Sequence, residues 1–175
     1  MTTRILVAYA SMFGSTGQIA QVLGAALRDA HTVVDVRAVN DVNDVHAYHA
    51  VVIGSAIYNG HWLPDAVHFV RIHEAALCHL PVAYFAMCML LQRPTSSHRR
   101  IVATYLDAVR HVAPRVEPVD VGMFAGKLRY RNLPLLERLL FACKARLPWG
   151  DFRDWDVIGA WAQELRPALV HAGGR

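Results

Sequence analysis

Between Arg4 and Thr16 an apolar run, Ile5-Leu6-Val7-Ala8-Tyr9, flows directly into Ser11-Met12-Phe13-Gly14-Ser15-Thr16 and then into a segment of helical period. That order reads as strand, small-residue loop, helix. The helix carries Ile19, Ala20, Leu23, Ala26, Leu27 and Ala30 on one face, with Ser15 or Thr16 placed to cap it. The same alternation recurs to the end of the chain. Strands are expected at 4–9, 32–37, 50–55, 81–86 and 117–124. Further helices are expected from about Pro64 to Leu77, from Ser96-Ser97 to a stop at Pro114, and from near Asp154. In the last of these Val157, Ile158, Trp161 and Leu165 share a face, and Pro167 limits the regular length. Such alternation makes an α/β domain with a parallel sheet, and five strands match the doubly wound order 2-1-3-4-5. At 175 residues and 54% apolar content, a single domain over 1–175 has ample material for its core.

One stretch does not fit the alternation. Residues 126–150 are too long for an ordinary connection, and they interleave Leu133, Leu135, Leu136, Leu139, Leu140, Phe141, Cys143 and Leu147 with Arg138, Lys144 and Arg146. The pattern is that of a basic amphipathic segment inserted after strand five. The chain carries a net charge of +4, and this stretch holds Lys127, Arg129, Arg131, Arg138, Lys144 and Arg146 against Glu137 alone. The remainder is slightly acidic, so whatever positive charge recruits is recruited here.

The loop after strand one narrows the ligand. Backbone N–H groups, hydroxyls and the positive end of a helix dipole together favour a phosphate. Neither G-x-x-x-x-G-K-[ST] nor G-x-G-x-x-G is present, which disfavours a nucleoside triphosphate and a dinucleotide. Without a Lys in the loop, neutral donors must hold the phosphate, as suits a monophosphate. The loop resembles the flavodoxin phosphate loop S/T-x-T-G-x-T: Ser11, Gly14 and Thr16 match, and Phe13 replaces the middle Thr. That resemblance implies FMN as cofactor, with Ser11, Met12, Phe13, Gly14, Ser15 and Thr16 around its phosphate and one hydroxyl donor fewer than usual.

In a doubly wound sheet the ligand lies beyond the C-terminal ends of the strands, so the loops after strands three and four must close the same site. The first is Ser55-Ala56-Ile57-Tyr58-Asn59-Gly60-His61-Trp62, preceded by Gly54; the second begins Met87-Cys88-Met89. Tyr58 or Trp62 offers a stacking surface for a planar ring, and Gly54 and Gly60 offer close backbone approach. Two stretches, Val51-Val52-Ile53-Gly54-Ser55-Ala56-Ile57-Tyr58-Asn59-Gly60-His61 and Phe124-Ala125-Gly126-Lys127-Leu128-Arg129-Tyr130-Arg131, extend the resemblance over nearly the whole chain. They resemble the flavodoxin-like family that includes the menaquinone-dependent protoporphyrinogen oxidases of bacteria. The resemblance implies a flavodoxin-like fold and an FMN oxidoreductase that oxidises protoporphyrinogen IX and passes electrons to a membrane quinone. Tyr58, His61 and Tyr130 are then candidate neighbours of ring or substrate, with no catalytic proton-transfer residue assigned.

Charge argues in the same direction. Loops 55–62 and 87–94 contain no Asp or Glu, so the site does not oppose the anionic reduced flavin, a repulsion worth roughly 1 kcal/mol per charge at short range. Asp151, Asp154 and Asp156 are the carboxylates whose position decides this argument. Lys127, Arg129 and Arg131 suit the propionates of a porphyrinogen, and the basic amphipathic segment suits an anionic membrane surface. A non-enzymatic electron carrier, or an FMN quinone reductase with another donor, is the alternative function.

Other readings of this sheet order lack their chemistry. The ends of strands one and three carry Ala10-Ser11 and Gly54-Ser55, without the acidic residues of a receiver domain, and Pro94 stands where a phosphatase C-x5-R loop starting at Cys88 needs its Arg. Three cysteines without C-x-x-C spacing fit a reducing, cytoplasmic setting, peripheral to the membrane at most. Pairs such as His46 with His49, or His61 with His68, have no recognisable ligand spacing, so no metal is expected. Neither is a nucleic-acid partner.

Overall fold

Three apolar runs of the sequence become the three central strands, because only strands covered on both faces bury every side chain of such a run. In the structure, a computed structural model that describes residues 2–128 and 150–171, these are β1 Thr3–Ala10, β3 Ala50–Tyr58 and β5 Val82–Cys88. β2 Thr32–Ala38 and β6 Pro118–Ala125 flank them. The parallel order is β2-β1-β3-β5-β6, the doubly wound order expected from the alternation. β4, His61–Trp62, adds an antiparallel pair to the end of β3.

Helices cover both faces. α1, Ser15–Leu27, and α6, Trp155–His171, lie on one side, where Ile19, Leu23, Ile158, Leu165 and Leu169 pack with Ile5 and Val7 of β1. α2 Pro64–Ile72, α3 Glu74–Leu77 and α5 Asp107–Val112 lie on the other, where Phe69, Leu77 and Val109 pack with Leu6 and Ala8. α4, Ser96–Thr104, covers the end of β5 through Val102.

Several boundaries differ from the periodicity. The helix expected from Pro64 to Leu77 breaks at His73 (φ −100°, ψ 6°), whose carbonyl accepts the N–H groups of Ala76 and Leu77 and starts a new turn that buries Leu77. The helix after Ser96 breaks at Tyr105-Leu106, where tighter bonds run from Tyr105 N–H to Val102 and from Leu106 N–H to Ala103. Two pieces deliver Val102 to one cluster and Leu106 and Val109 to another, which one straight helix would not do. Pro167 does not end α6. The helix continues to His171 because Leu165 and Leu169 on either side of Pro167 are buried against the sheet, and that packing outweighs the missing N–H.

The inserted stretch is closed at its base. β7 Lys127–Leu128 and β8 Gly150–Asp151 pair antiparallel, Lys127 opposite Asp151 and Leu128 opposite Gly150. Arg129, Tyr130, Arg131 and the amphipathic pattern at 133–147 lie outside the described residues.

Layer packing is tightest at Gly54. It pairs in register with Phe85 of β5, and a Cβ on Gly54 would stand 1.9 Å from Cζ of that ring. Gly54 therefore makes room for the core and not, as expected, for the ligand. Gly54→Ala should cost about 1–3 kcal/mol in urea unfolding, the range for overpacked cores, and Phe85→Leu introduced beside it should restore part of the loss.

Candidate functional site

The loop that opens with Ser11 leaves the C-terminal end of β1. Gly14 takes a left-handed conformation (φ 83°) and stands at the helix N-cap position, with no side-chain capping bond. The expected cap by Ser15 or Thr16 is thus not made: a left-handed glycine turns the chain, and helix α1 begins at Ser15 with the Thr16 hydroxyl unspent. Thr16 is fully buried, and neither its Oγ1 nor the buried Oγ of Ser11 has a hydrogen-bond partner. Buried hydroxyls without partners cost free energy. Here two of them share one loop at a helix N-terminus whose first turn carries no acidic residue, so they fit an acceptor-rich anion supplied from outside the chain.

Beside this loop opens a cavity of about 270 Å³ at the C-terminal ends of β1, β3 and β5. Met12, Phe13 and Ser15 form one wall, and Met87, Cys88, Met89 and Leu90 form another. Ala56, Ile57, Tyr58, Asn59 and Gly60 form the third. This last segment is not the open loop expected. β3 continues through Tyr58, and Asn59 (φ 50°) with Gly60 (φ 78°) makes a two-residue turn into β4. Asn-Gly between pairing residues is a strong hairpin signal, and the sequence carried it. Tyr105, Gly126 and Lys127 complete the lining; Tyr105 was not among the expected site residues and reaches the cavity because its helix breaks there and its ring stands over Gly60.

Four expected contributors have other duties. The Ser55 hydroxyl donates to the Ala56 carbonyl (2.8 Å) and accepts the Leu63 N–H (2.9 Å), tying down the hairpin from a fully buried position. Trp62 is buried in the core with its ring edge-on to Tyr84 at 5.5 Å, so it offers no face to a ligand. His61 opens onto a separate groove with Thr104 and Asp107 on the far side of the turn. Gly54 lies under Phe85. Among the histidine pairs, His46 turns to Asp44 (2.6 Å), His49 Nδ1 accepts the Arg4 N–H (3.1 Å), and His68 Nδ1 faces Arg71 (3.1 Å).

No carboxylate lines the cavity among the described residues. Asp154 caps α6 by accepting the Val157 N–H (3.1 Å). Asp151 is held by Arg153, with contacts of 2.7 and 2.5 Å, and by Lys127 Nζ at 3.0 Å. The hydrogen bonds from Arg153, and then that from Lys127, keep its carboxyl well below the usual carboxylate range. Arg153 is a site residue that sequence reasoning missed. Its side chain is 3% exposed, stacks on Trp155, and donates to Gln18 Oε1 (2.6 Å) and the Ser15 carbonyl (3.4 Å) in the first turn of α1. No local spacing signals contacts 135 and 138 residues apart.

The model of the flavodoxin domain matches residues 6–147. The chain belongs to the flavodoxin domain family. Protoporphyrinogen IX dehydrogenase [quinone] of Escherichia coli strain K12 is 23% identical to this flavodoxin-domain protein over 173 residues, 93% of this chain and 94% of that one. The Leishmania major protein of the same name is 23% identical over 176 residues, 93% of this chain and 74% of that one. Among solved structures, a short-chain flavodoxin associated with a bacterial microcompartment superposes with a TM-score of 0.59 at 11% identity, covering 99% of this chain and 100% of that one. The chain is an FMN-binding oxidoreductase of the flavodoxin type, and the orphaned hydroxyls beside an apolar cavity fit a phosphate joined to a flat ring.

Two measurements check the site. Thr16→Val, which keeps shape and removes the unpartnered hydroxyl, should weaken FMN binding about tenfold by flavin-fluorescence titration while leaving the unfolding midpoint unchanged or higher. Burial raises the Cys88 thiol pKa above its ordinary 9.0. The Cys88 peptide should therefore alkylate slowly at neutral pH, faster only in strong alkali, and more slowly still once FMN fills the cavity, as peptide mass mapping will record.

Proposed function

We propose that this flavodoxin-domain protein oxidises protoporphyrinogen IX through FMN and hands the electrons to a membrane quinone. The observation that carries the reading is where the basic stretch begins and ends. Gly126 and Lys127 line the ring cavity, and the β7–β8 pairing returns the chain to Lys127 through Asp151. The stretch that is rich in Lys and Arg thus leaves and rejoins the described chain beside the cavity, which supports a porphyrinogen with two propionates as its partner.

The rest of the chemistry is consistent. FMN, when bound, supplies two-electron oxidation and reduction, and the protein supplies orientation and electrostatics. Met12, Phe13, Met87 and Met89 give an apolar, water-poor wall that suits both the ring and a flat macrocycle. The absence of carboxylates from that wall favours a flavin that accepts electrons readily. Both curated relatives named above, each matched over 93% of this chain, are called protoporphyrinogen IX dehydrogenases. No helix among the described residues is long and apolar enough to cross a membrane, so the quinone would be met at the membrane surface through the basic stretch that includes Arg129 and Arg131.

The test is anaerobic appearance of porphyrin fluorescence from protoporphyrinogen IX, with a menaquinone analogue as sole acceptor. Turnover should require FMN and fall at least about tenfold in kcat/KM when Arg129 and Arg131 are both replaced by Gln. Flavin-loaded protein that gives no porphyrin would overturn the reading and leave an electron carrier, or a quinone reductase with another donor.

A further inference from the structure

We infer that Lys127 is the residue that sets the reduction potential of the bound flavin, with Asp151 as its attenuator. Lys127 is the one charged side chain among the described residues that line the cavity. Its side chain is 17% exposed, so solvent screens it poorly. It is held in place on a two-residue ladder, opposite the Asp151 whose carboxylate lies 3.0 Å from Nζ.

The charge is not cancelled by that contact. Asp151 is engaged by two guanidinium nitrogens of Arg153, Nε at 2.7 Å and Nη2 at 2.5 Å. Two cations thus share one carboxylate, and one positive charge is left over at the cavity wall. Arg153 spends its remaining donors on Gln18 and the Ser15 carbonyl, away from the ring cavity. Lys127 is therefore where the surplus meets the ligand.

That surplus acts on one redox state only. FMN that takes up two electrons and one proton gains a negative charge, whereas oxidised FMN has a neutral ring. A fixed cation at the wall binds the reduced form more tightly than the oxidised form, and a difference between two binding affinities is a shift in potential. Even with the full screening of bulk water, one charge about 4 Å away amounts to about fivefold in that affinity ratio, which sets the least effect expected. The inference concerns FMN alone and stands whether or not the substrate is a porphyrinogen. It moves Lys127 from the substrate group, where the sequence put it with Arg129 and Arg131, to the cofactor.

The experiment is an anaerobic reductive titration of FMN-loaded protein against reference dyes, above neutral pH, with bound flavin verified from its visible spectrum before each run. Lys127→Met should weaken reduced relative to oxidised FMN binding about fivefold and lower the midpoint potential. Asp151→Asn should raise it by freeing the lysine charge, and Lys127→Arg should keep the wild-type value. A purely structural ion pair would move both variants in the same direction or neither, and either outcome overturns the inference. So does a Lys127→Met protein whose potential is unchanged while its KM for porphyrinogen rises, which would return Lys127 to the substrate.

Discussion

The parallel pairing of β1, β3 and β5 is the constraint on which the site depends. In parallel strands every C-terminal end faces the same way, so the three segments that follow these strands converge without any further instruction. The register runs unbroken from Val51 opposite Val82 to Ala56 opposite Met87, and the ring cavity begins at that last pair. Phe85 over Gly54 fixes this register from within, since a one-residue slip would drive the ring into a strand with side chains. Core and site are in this sense one object: the tightest packing in the sheet lies two residues below the cavity floor.

A second layer of organisation is electrostatic. Asp151, Arg153 and Lys127 link the base of the inserted stretch to the first turn of α1, which is also the helix whose N-terminus serves the phosphate loop. Ser15 and Lys127, which line the cavity from distant parts of the chain, are joined by this ion cluster. The Arg153 side chain is almost fully buried and bidentate, so the geometry is of the kind that fixes position well. A Lys in its place would carry the charge without the fork that reaches Asp151 and Gln18 together.

How much of this was legible in the chain follows from the range of the interactions concerned. Strand order follows from the alternation of periodicities, and the segments 56–60 and 87–89 line one cavity as the ends of β3 and β5, the first as a hairpin and not as an open loop. What failed was decided by packing between distant residues. Ser55 heads the segment after strand three that was expected to close the site, but the Leu63 N–H claims its hydroxyl. Trp62 looked like a stacking surface, but hairpin β4 turns it inward onto Tyr84. Pro167 looked like a stop, but Leu165 and Leu169 hold the helix past it. Arg153 gave no local signal because its partners lie at the other end of the chain.

The replacement of the loop's middle Thr by Phe13 is intelligible in the same terms. Phe13 is 39% exposed and lines the cavity beside Met12, so the position trades a phosphate donor for apolar wall. A carrier that holds FMN permanently gains from every donor to the phosphate. An enzyme whose flavin must also meet a flat, apolar reductant gains from a wall that excludes water and presents carbon to that partner. Ser11 and Thr16 remain as buried hydroxyls without partners, the kind that fits a phosphate. The loop therefore keeps two buried hydroxyls without partners and turns the position of a third donor into apolar cavity wall.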